Sequence, residues 1–418
     1  MFYNERSKFY NQIELLIEKS GIEFDELLSI NDIQSAINQR LPNLKNYIIH
    51  HVSDLLNHSF SFEYDENVRN LCLSIIINSS DVKSEICKDK NLINCLINYF
   101  ENEFIGKDNF YILLQNLIAN FGCTFLKNLP SGKKFLEMII KDIHFLSCYE
   151  FLIYIFYWDY DDLILKWLMK NDIDLILYSQ LKKQSIEACR SMNLLVILLL
   201  DERESSFKIK KLSNIDIIKE ILELALSSTM NEFSESAFNY IILISNQCDD
   251  TDEEGKESVF DQIINIITDN FQELCNYVQK DHSFQGNKKY AIELITTIIS
   301  VQDEVNPFTF YFADFLFHLF LELKTNSFLH SSYFTFFQAF SNAKNFLNYI
   351  NKYKYIESLV KVLNDKDKIV ASFWGHINQI IEIINNLIIQ KRITIKEEWI
   401  NVIQKELKIK ESILSQNY

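Results

Sequence analysis

The sequence predicts an all-α protein, an armadillo/HEAT-like helical-repeat solenoid wound as a right-handed superhelix. Three observations carry this. Only 7 Gly and 3 Pro occur in 418 residues, and these are the residues that supply the turns of sheets and phosphate-binding loops. Apolar residues recur at i, i+3, i+4 and i+7, which places a stripe on one face of a helix, and strict two-residue alternation is nowhere sustained. Short polar breaks separate the periodic segments every 15–25 residues or so, and two helices then make a unit of about 40, the period of HEAT and armadillo arrays. A globular helical bundle is the alternative open to this pattern, although bundles of this length usually need longer connections.

Taken in chain order, NLPSGKK (128–134) is the first clear break, with Pro130 and Ser131 placed to start a helix. Phe260, Ile263, Ile264, Ile267 and Phe271 form a helical stripe. EVNP (304–307) offers Asn306 as N-cap and Pro307 as first helical residue. The spacing then predicts one helix over 308–323, a turn at KTNS (324–327) capped by Asn326 or Ser327, and an antiparallel helix over 328–340. Phe334 and Phe337 belong to the packed stripe of that helix, and His330 lies in its first turn. Ile356, Leu359, Val360 and Leu363 make the next stripe, NDKDK (364–368) the next break, and Ile377, Ile380, Ile381, Ile384 and Ile388 the last. The reading is one helical-repeat domain over 1–418 with an acidic interhelix loop near 249–258.

Composition narrows the functional classes. The formal net charge is −16, and no long Lys/Arg-rich run offsets it, so nucleic acid is not an expected partner. The 57 aromatic residues fall at helical spacing and read as core. Eight cysteines are scattered without a CxxC pair or a zinc-ligand spacing to histidine. Reduced buried thiols in the cytosol or nucleus account for them, and the N-terminus lacks the apolar core of a signal peptide. No segment supplies the roughly twenty apolar residues of a membrane span: the stretch 151–168 is broken by aspartates, and 308–321 carries Asp314 and His318.

Possible chemistry fails on ligand type or context. DTDEEGKESVFD (250–261) places Asp250, Asp252, Glu254, Gly255 and Asp261 near the positions of a calcium loop, but its fifth and twelfth residues depart from the ligand pattern and Glu257 stands where an apolar residue is needed. WDYDDL (158–163) clusters Asp159, Asp161 and Asp162 in what reads as an interhelix turn with a cap. GKK at 132–134 lacks the flanking residues of a phosphate loop. His50 and His51 are adjacent and so diverge by about 100° on a helix. No GxSxG elbow occurs. The expectation is a protein that is not an enzyme and holds no cofactor or metal.

Several stretches, in order along the chain, resemble the SAPS-domain family, the helical-repeat regulatory subunits of protein phosphatase 6 and its fungal counterpart. FDELLSINDIQSAIN (24–38) is similar to the family's opening through Asp25, Glu26, Leu27, Leu28 and Asp32. The stretches 70–100 and 144–156 resemble the next two helical motifs, the latter with Ser147 and Glu150 in place. The block 167–205 matches at Trp167, Leu168, Gln184, Ser185, Ala188 and Arg203. NSFLH (326–330) matches at Asn326, Phe328, Leu329 and His330, and FWGHINQIIEIINNL (373–387) at Gly375, His376 and Ile377, although Gln379 and Glu382 replace the family's Arg and Asn there. EEWINVIQKELK (397–408) is similar to the closing motif.

This resemblance implies a non-catalytic regulatory subunit that binds a type 2A-like serine/threonine phosphatase catalytic subunit and directs it to substrates, with ankyrin-repeat proteins as further partners. Polar positions beside the matched motifs, Lys183, Gln184, Arg203, Asn326, His330 and His376, are the candidate partner-binding residues. Helix capping and local polar contacts compete for each of them. The alternative function is a helical-repeat adaptor of nuclear transport or trafficking with no phosphatase link.

Overall fold

The computed structural model describes residues 2–31, 33–39, 41–101, 106–157, 163–200, 214–247, 258–280, 283–352, 354–364, 371–390, 393 and 395–416. All regular structure among them is helical, with 25 α-helices and one 3₁₀ turn, as the scarcity of Gly and Pro predicts. The chain packs as two compact units, Met1–Ile209 and Lys210–Tyr418. The first unit holds α1 (Phe2–Ser20), α2 (Phe24–Leu28), α3 (Ile33–Asn38), α4 (Pro42–His50), α5 (Val52–Phe60), α6 (Glu66–Asn78), α7 (Ser80–Lys88), α8 (Lys90–Glu101), α9 (Lys107–Asn128), α10 (Gly132–Lys141), α11 (Leu146–Tyr157), α12 (Leu163–Lys170), α13 (Ile173–Tyr178) and α14 (Ile186–Leu200). The second holds α15 (Ile215–Ser227), α16 (Asn231–Gln247), α17 (Val259–Asp269), α18 (Phe271–Gln279), α19 (Gly286–Val301), α20 (Phe308–Glu322), α21 (Ser327–Ser341), α22 (Phe346–Lys352), α23 (Tyr355–Leu363), α24 (Ala371–Ile389) and α25 (Glu397–Gln416).

Each unit is a stack of helix pairs. In the second unit α16, α19, α21 and α24 pack one on the next as an inner layer, and α15, α18 and α20 are among the helices beside it. In the first, α7, α9 and α11 pack in sequence, and α11 leads to α14. The repeat is written into the side-chain hydrogen bonds between layers. Gln34 reaches Ser74, 40 residues on; Tyr99 reaches Asn57, 42 away; Asn128 reaches the Cys87 carbonyl, 41 away; Lys133 reaches Asp172, 39 on. Asn345 bonds both the N–H and the carbonyl of Val305, 40 residues before it. These bonds between neighbouring helix pairs fall near the period of about 40 expected for this repeat class, within a range that runs from 25 to 47 in the first unit. The separation rises to 54 between Asn231 and Gln285, where the acidic segment lies between the two helices.

Helix starts follow local chemistry. Asp65, Ser79, Ser131, Asn214, Ser258 and Asn326 each accept a backbone N–H of the first turn at the heads of α6, α7, α10, α15, α17 and α21, which satisfies donors a helix cannot pair internally. Asn306 accepts from Phe308 N at 2.9 Å, so it caps as expected, while the regular helix begins just after Pro307. One stripe divides. Phe260 to Phe271 spans two helices, because Asn270 ends α17 by donating its amide to the Ile266 carbonyl at 2.9 Å, and Phe271 opens α18. The remaining stripes pack as read, except that Ile388 is half-buried and Leu387 takes the interior position. Phe337 is buried, whereas Phe334 is only half-buried. A helix places residues three apart some 60° from one register, and α21 turns Phe334 toward its rim.

Candidate functional site

Three of the six candidate residues meet at one corner of the second unit, where α20 turns into α21 and α24 packs alongside. Asn326 heads α21. Its Oδ1 accepts from Leu329 N at 3.0 Å, and its Nδ2 donates to the Phe284 carbonyl at 3.2 Å, which ties the turn to the preceding repeat. Ser327, the other predicted cap, lies inside the helix. His330 follows one turn later and is completely buried. Its Nε2–H donates to the Leu323 carbonyl at 2.9 Å, the last residue before the turn. A carbonyl only accepts, so the proton sits on Nε2 and the Nδ1 lone pair points inward with no partner. Burial pushes the imidazole pKa down, the Leu323 bond opposes this, and the nearby His376 adds to the lowering.

The surroundings of His330 are rings. Phe320 stands edge-on at 5.1 Å, Phe373 lies at 5.4 Å and His376 at 6.0 Å. Behind them the Tyr333 and Tyr355 hydroxyls meet at 3.0 Å, and Tyr355 stacks on Phe337 at 5.3 Å. His376 sits half-buried on α24 with its ring 6.0 Å from Phe334. This aromatic density is the core of a helix pair, as its spacing implied. The side chain of His330 does not reach the surface of the unit.

The other candidates belong to the first unit. Lys183 and Gln184 are exposed at the 3₁₀ turn Leu181–Lys183 before α14. Gln184 has φ +46°, in the left-handed region, and this residue ends the turn. Two residues into α14, Glu187 is held below the usual carboxylate range chiefly by the Ser185 hydroxyl, with a smaller contribution from the Lys183 charge. Arg203 lies outside the described residues, as do Asp159, Asp161 and Asp162 of WDYDDL and Asp250, Asp252, Glu254, Gly255 and Glu257 of the acidic loop. Asp261, the last position of the calcium-like pattern, accepts from the Ser258 hydroxyl at 2.8 Å in a cap of α17. Among the described residues no group of three or more His, Cys, Asp or Glu is placed to hold a metal, and no helix is long and apolar enough to cross a membrane.

Two features escaped the sequence reading. Asn231, Gln285 and Asn287 form a carboxamide chain across the heads of α16 and α19, with Asn287 also donating to the Tyr277 hydroxyl at 2.8 Å. Their positions at helix starts were the available clue. Asp25, from the N-terminal motif, pairs with Nε2 of the buried His58 at 2.5 Å, 33 residues away. No local pattern links those two positions.

No protein-family model matches the chain, and no curated protein matches it. Solved structures align over most of it, among them two of Kap121p. One is a crystal structure of a Kap121p mutant, at 12% identity, covering 89% of this chain and 45% of that chain with a TM-score of 0.42. The other is the karyopherin Kap121p bound to the SUMO protease Ulp1p, at 12% identity, covering 91% of this chain and 46% of that chain with a TM-score of 0.38. The chain spans about half the length of the karyopherin chains it matches.

Proposed function

We propose that this chain is a non-catalytic helical-repeat scaffold that binds other proteins. The observation that carries the reading is the contact period of about 40 residues, repeated through both units. A stack in which each repeat touches mainly its neighbours leaves a long surface on every pair, and such surfaces suit extended protein partners. Two finer readings share this scaffold. An adaptor of transport or trafficking asks nothing of individual residues beyond the stack. A regulatory subunit of a type 2A-like phosphatase is supported by the ordered motif resemblance, and it draws on the exposed Lys183 and Gln184 as surface contacts, since Asn326 and His330 are occupied locally and His376 is half-buried against their rings.

Affinity purification of the tagged full chain, with identification of stoichiometric co-purifying proteins, separates these. A phosphatase catalytic subunit lost on a Lys183→Glu/Gln184→Ala double substitution supports the regulatory reading. Transport factors or cargo support the adaptor. A chain that purifies alone under gentle conditions overturns the scaffold reading.

A further inference from the structure

One lysine of the first unit is buried where no acid answers it. Lys83 lies in α7 and is 7% exposed. Val82, Ile86 and Cys87 on the same helix are wholly buried, and α7 is packed against α4, α5, α6, α8 and α9. The carboxylates of α7 do not reach it. Asp81 and Glu85 stand two residues to either side, and positions two apart on a helix do not face each other. Asp81 is also held by Lys45 at 2.9 Å. Among the described residues the Lys83 side chain forms no ion pair and no hydrogen bond, whereas Lys107, Lys133 and Lys344 each lie within 3.1 Å of an aspartate. Burial pushes the Lys83 pKa down. Of the titratable groups on α7 and the helices around it, only Cys87, one turn on, opposes that, and burial pushes this thiol up to about 12, so it is protonated at neutral pH. The Lys83 nitrogen is not sealed in. Nζ is not among the fully buried polar atoms that lack a partner, so the stem is covered and the tip reaches solvent.

We propose that Lys83 is an acylation site whose ε-amine takes the acyl group of a small acyl thioester. The neutral amine attacks the thioester carbonyl carbon. The C–N bond forms as the C–S bond breaks, the sulfur departs as thiolate, and the nitrogen loses its proton to water. An ordinary surface lysine is almost wholly protonated near neutral pH and has no lone pair to offer. A lysine covered by apolar side chains, with no carboxylate to hold its proton, presents the amine instead. The product is a neutral amide, so acylation removes the unpaired charge that burial disfavours. The same change at a paired surface lysine deletes an ion pair and stabilises nothing. Cys87 does not relay the group, since it is wholly buried and protonated. The site is independent of which partner the scaffold binds.

The test sets Lys83 against Lys344. The Lys344 side chain is 64% exposed, and its bond to Asp303 at 2.6 Å holds it above the ordinary lysine range. Exposure alone favours Lys344, and the state of the proton favours Lys83. The folded full chain is treated with S-acetyl-N-acetylcysteamine over a range of pH, and acetylation of each lysine is followed by peptide mass spectrometry. Lys83 should be acetylated at least about tenfold faster than Lys344 near neutral pH. Its rate should level off at lower pH, and guanidinium chloride should make the two residues equal. Lys83→Nε-acetyllysine, installed during synthesis of the chain, should raise the Tm, while Lys344→Nε-acetyllysine should not. Four outcomes overturn the proposal: Lys83 no faster than Lys344 in the folded chain, a Lys83 rate that rises through the same pH as that of Lys344, a preference that survives denaturation, or an acetyllysine at position 83 that fails to raise the Tm.

Discussion

His330 is legible by position and not by role. Its place in the first turn of a helix follows from KTNS and the aromatic run after it, but its complete burial depends on α24, more than forty residues away. Burial holds the imidazole neutral, with its folded pKa below the unfolded value of about 6.5. Between those two values the unfolded chain binds the extra proton and the folded chain does not. The contribution is therefore fully present above about pH 6.5 and is lost as pH falls toward the folded pKa. Thermal melts should show a drop in Tm from pH 7.5 to 5.5 that is smaller in His330→Phe; an equal drop in both proteins would assign the acid sensitivity elsewhere. Two neighbours test the packing at the same scale. Phe337→Ala, at a buried position stacked on Tyr355, should cost about 3–5 kcal/mol. Phe334→Ala, half-buried against His376, should cost clearly less. Chemical denaturation of both variants checks the order.

At the scale of the element, two glycines with the same helix propensity should answer alanine with opposite signs. Gly132 opens α10 beneath the side chains of Trp167 and Asn171, and an added Cβ would lie 2.5 Å from Asn171 Oδ1 and 2.7 Å from the Trp167 ring. That clash outweighs the roughly 1 kcal/mol an alanine gains in a helix, so Gly132→Ala should destabilise by about 1–3 kcal/mol. Gly375 lies inside α24 with nothing within 4 Å of an added Cβ. Gly375→Ala should stabilise by about 0.5–1 kcal/mol. Differential scanning calorimetry of the pair gives both signs, and a stabilised Gly132→Ala would mean that Trp167 and Asn171 do not approach Gly132 as described. The sequence places Gly132 at a helix start and Gly375 within a helical stretch, with nothing to show what packs on either. Only the approach of the Trp167 and Asn171 side chains sets the opposite sign at Gly132.

Across the whole molecule, cysteine reactivity reports how well the repeat stack closes. The reading of scattered, buried thiols holds for Cys72, Cys87, Cys148, Cys189 and Cys275, while Cys95 is half-buried and Cys123 is exposed. Burial pushes the Cys72, Cys87 and Cys148 thiols up to about 12, so they are neither accessible nor ionised at neutral pH. Iodoacetamide labelling mapped by mass spectrometry should modify Cys123 long before those three, and denaturant should make them equivalent; early labelling of Cys148 would show that the stack opens. The sequence by itself determined the helical class, the helix starts at Ser131, Asn306 and Asn326, and the period of about 40, because caps, apolar stripes and breaks are local and each acts within a turn or two of the chain. Tertiary structure alone decided that Asn326 and His330 serve their own turn, that Asp25 meets His58, and that Phe260 and Phe271 belong to different helices. Those outcomes depend on which repeats stack and at what register, and the contacts that set the register join residues some forty positions apart, beyond the reach of any local pattern.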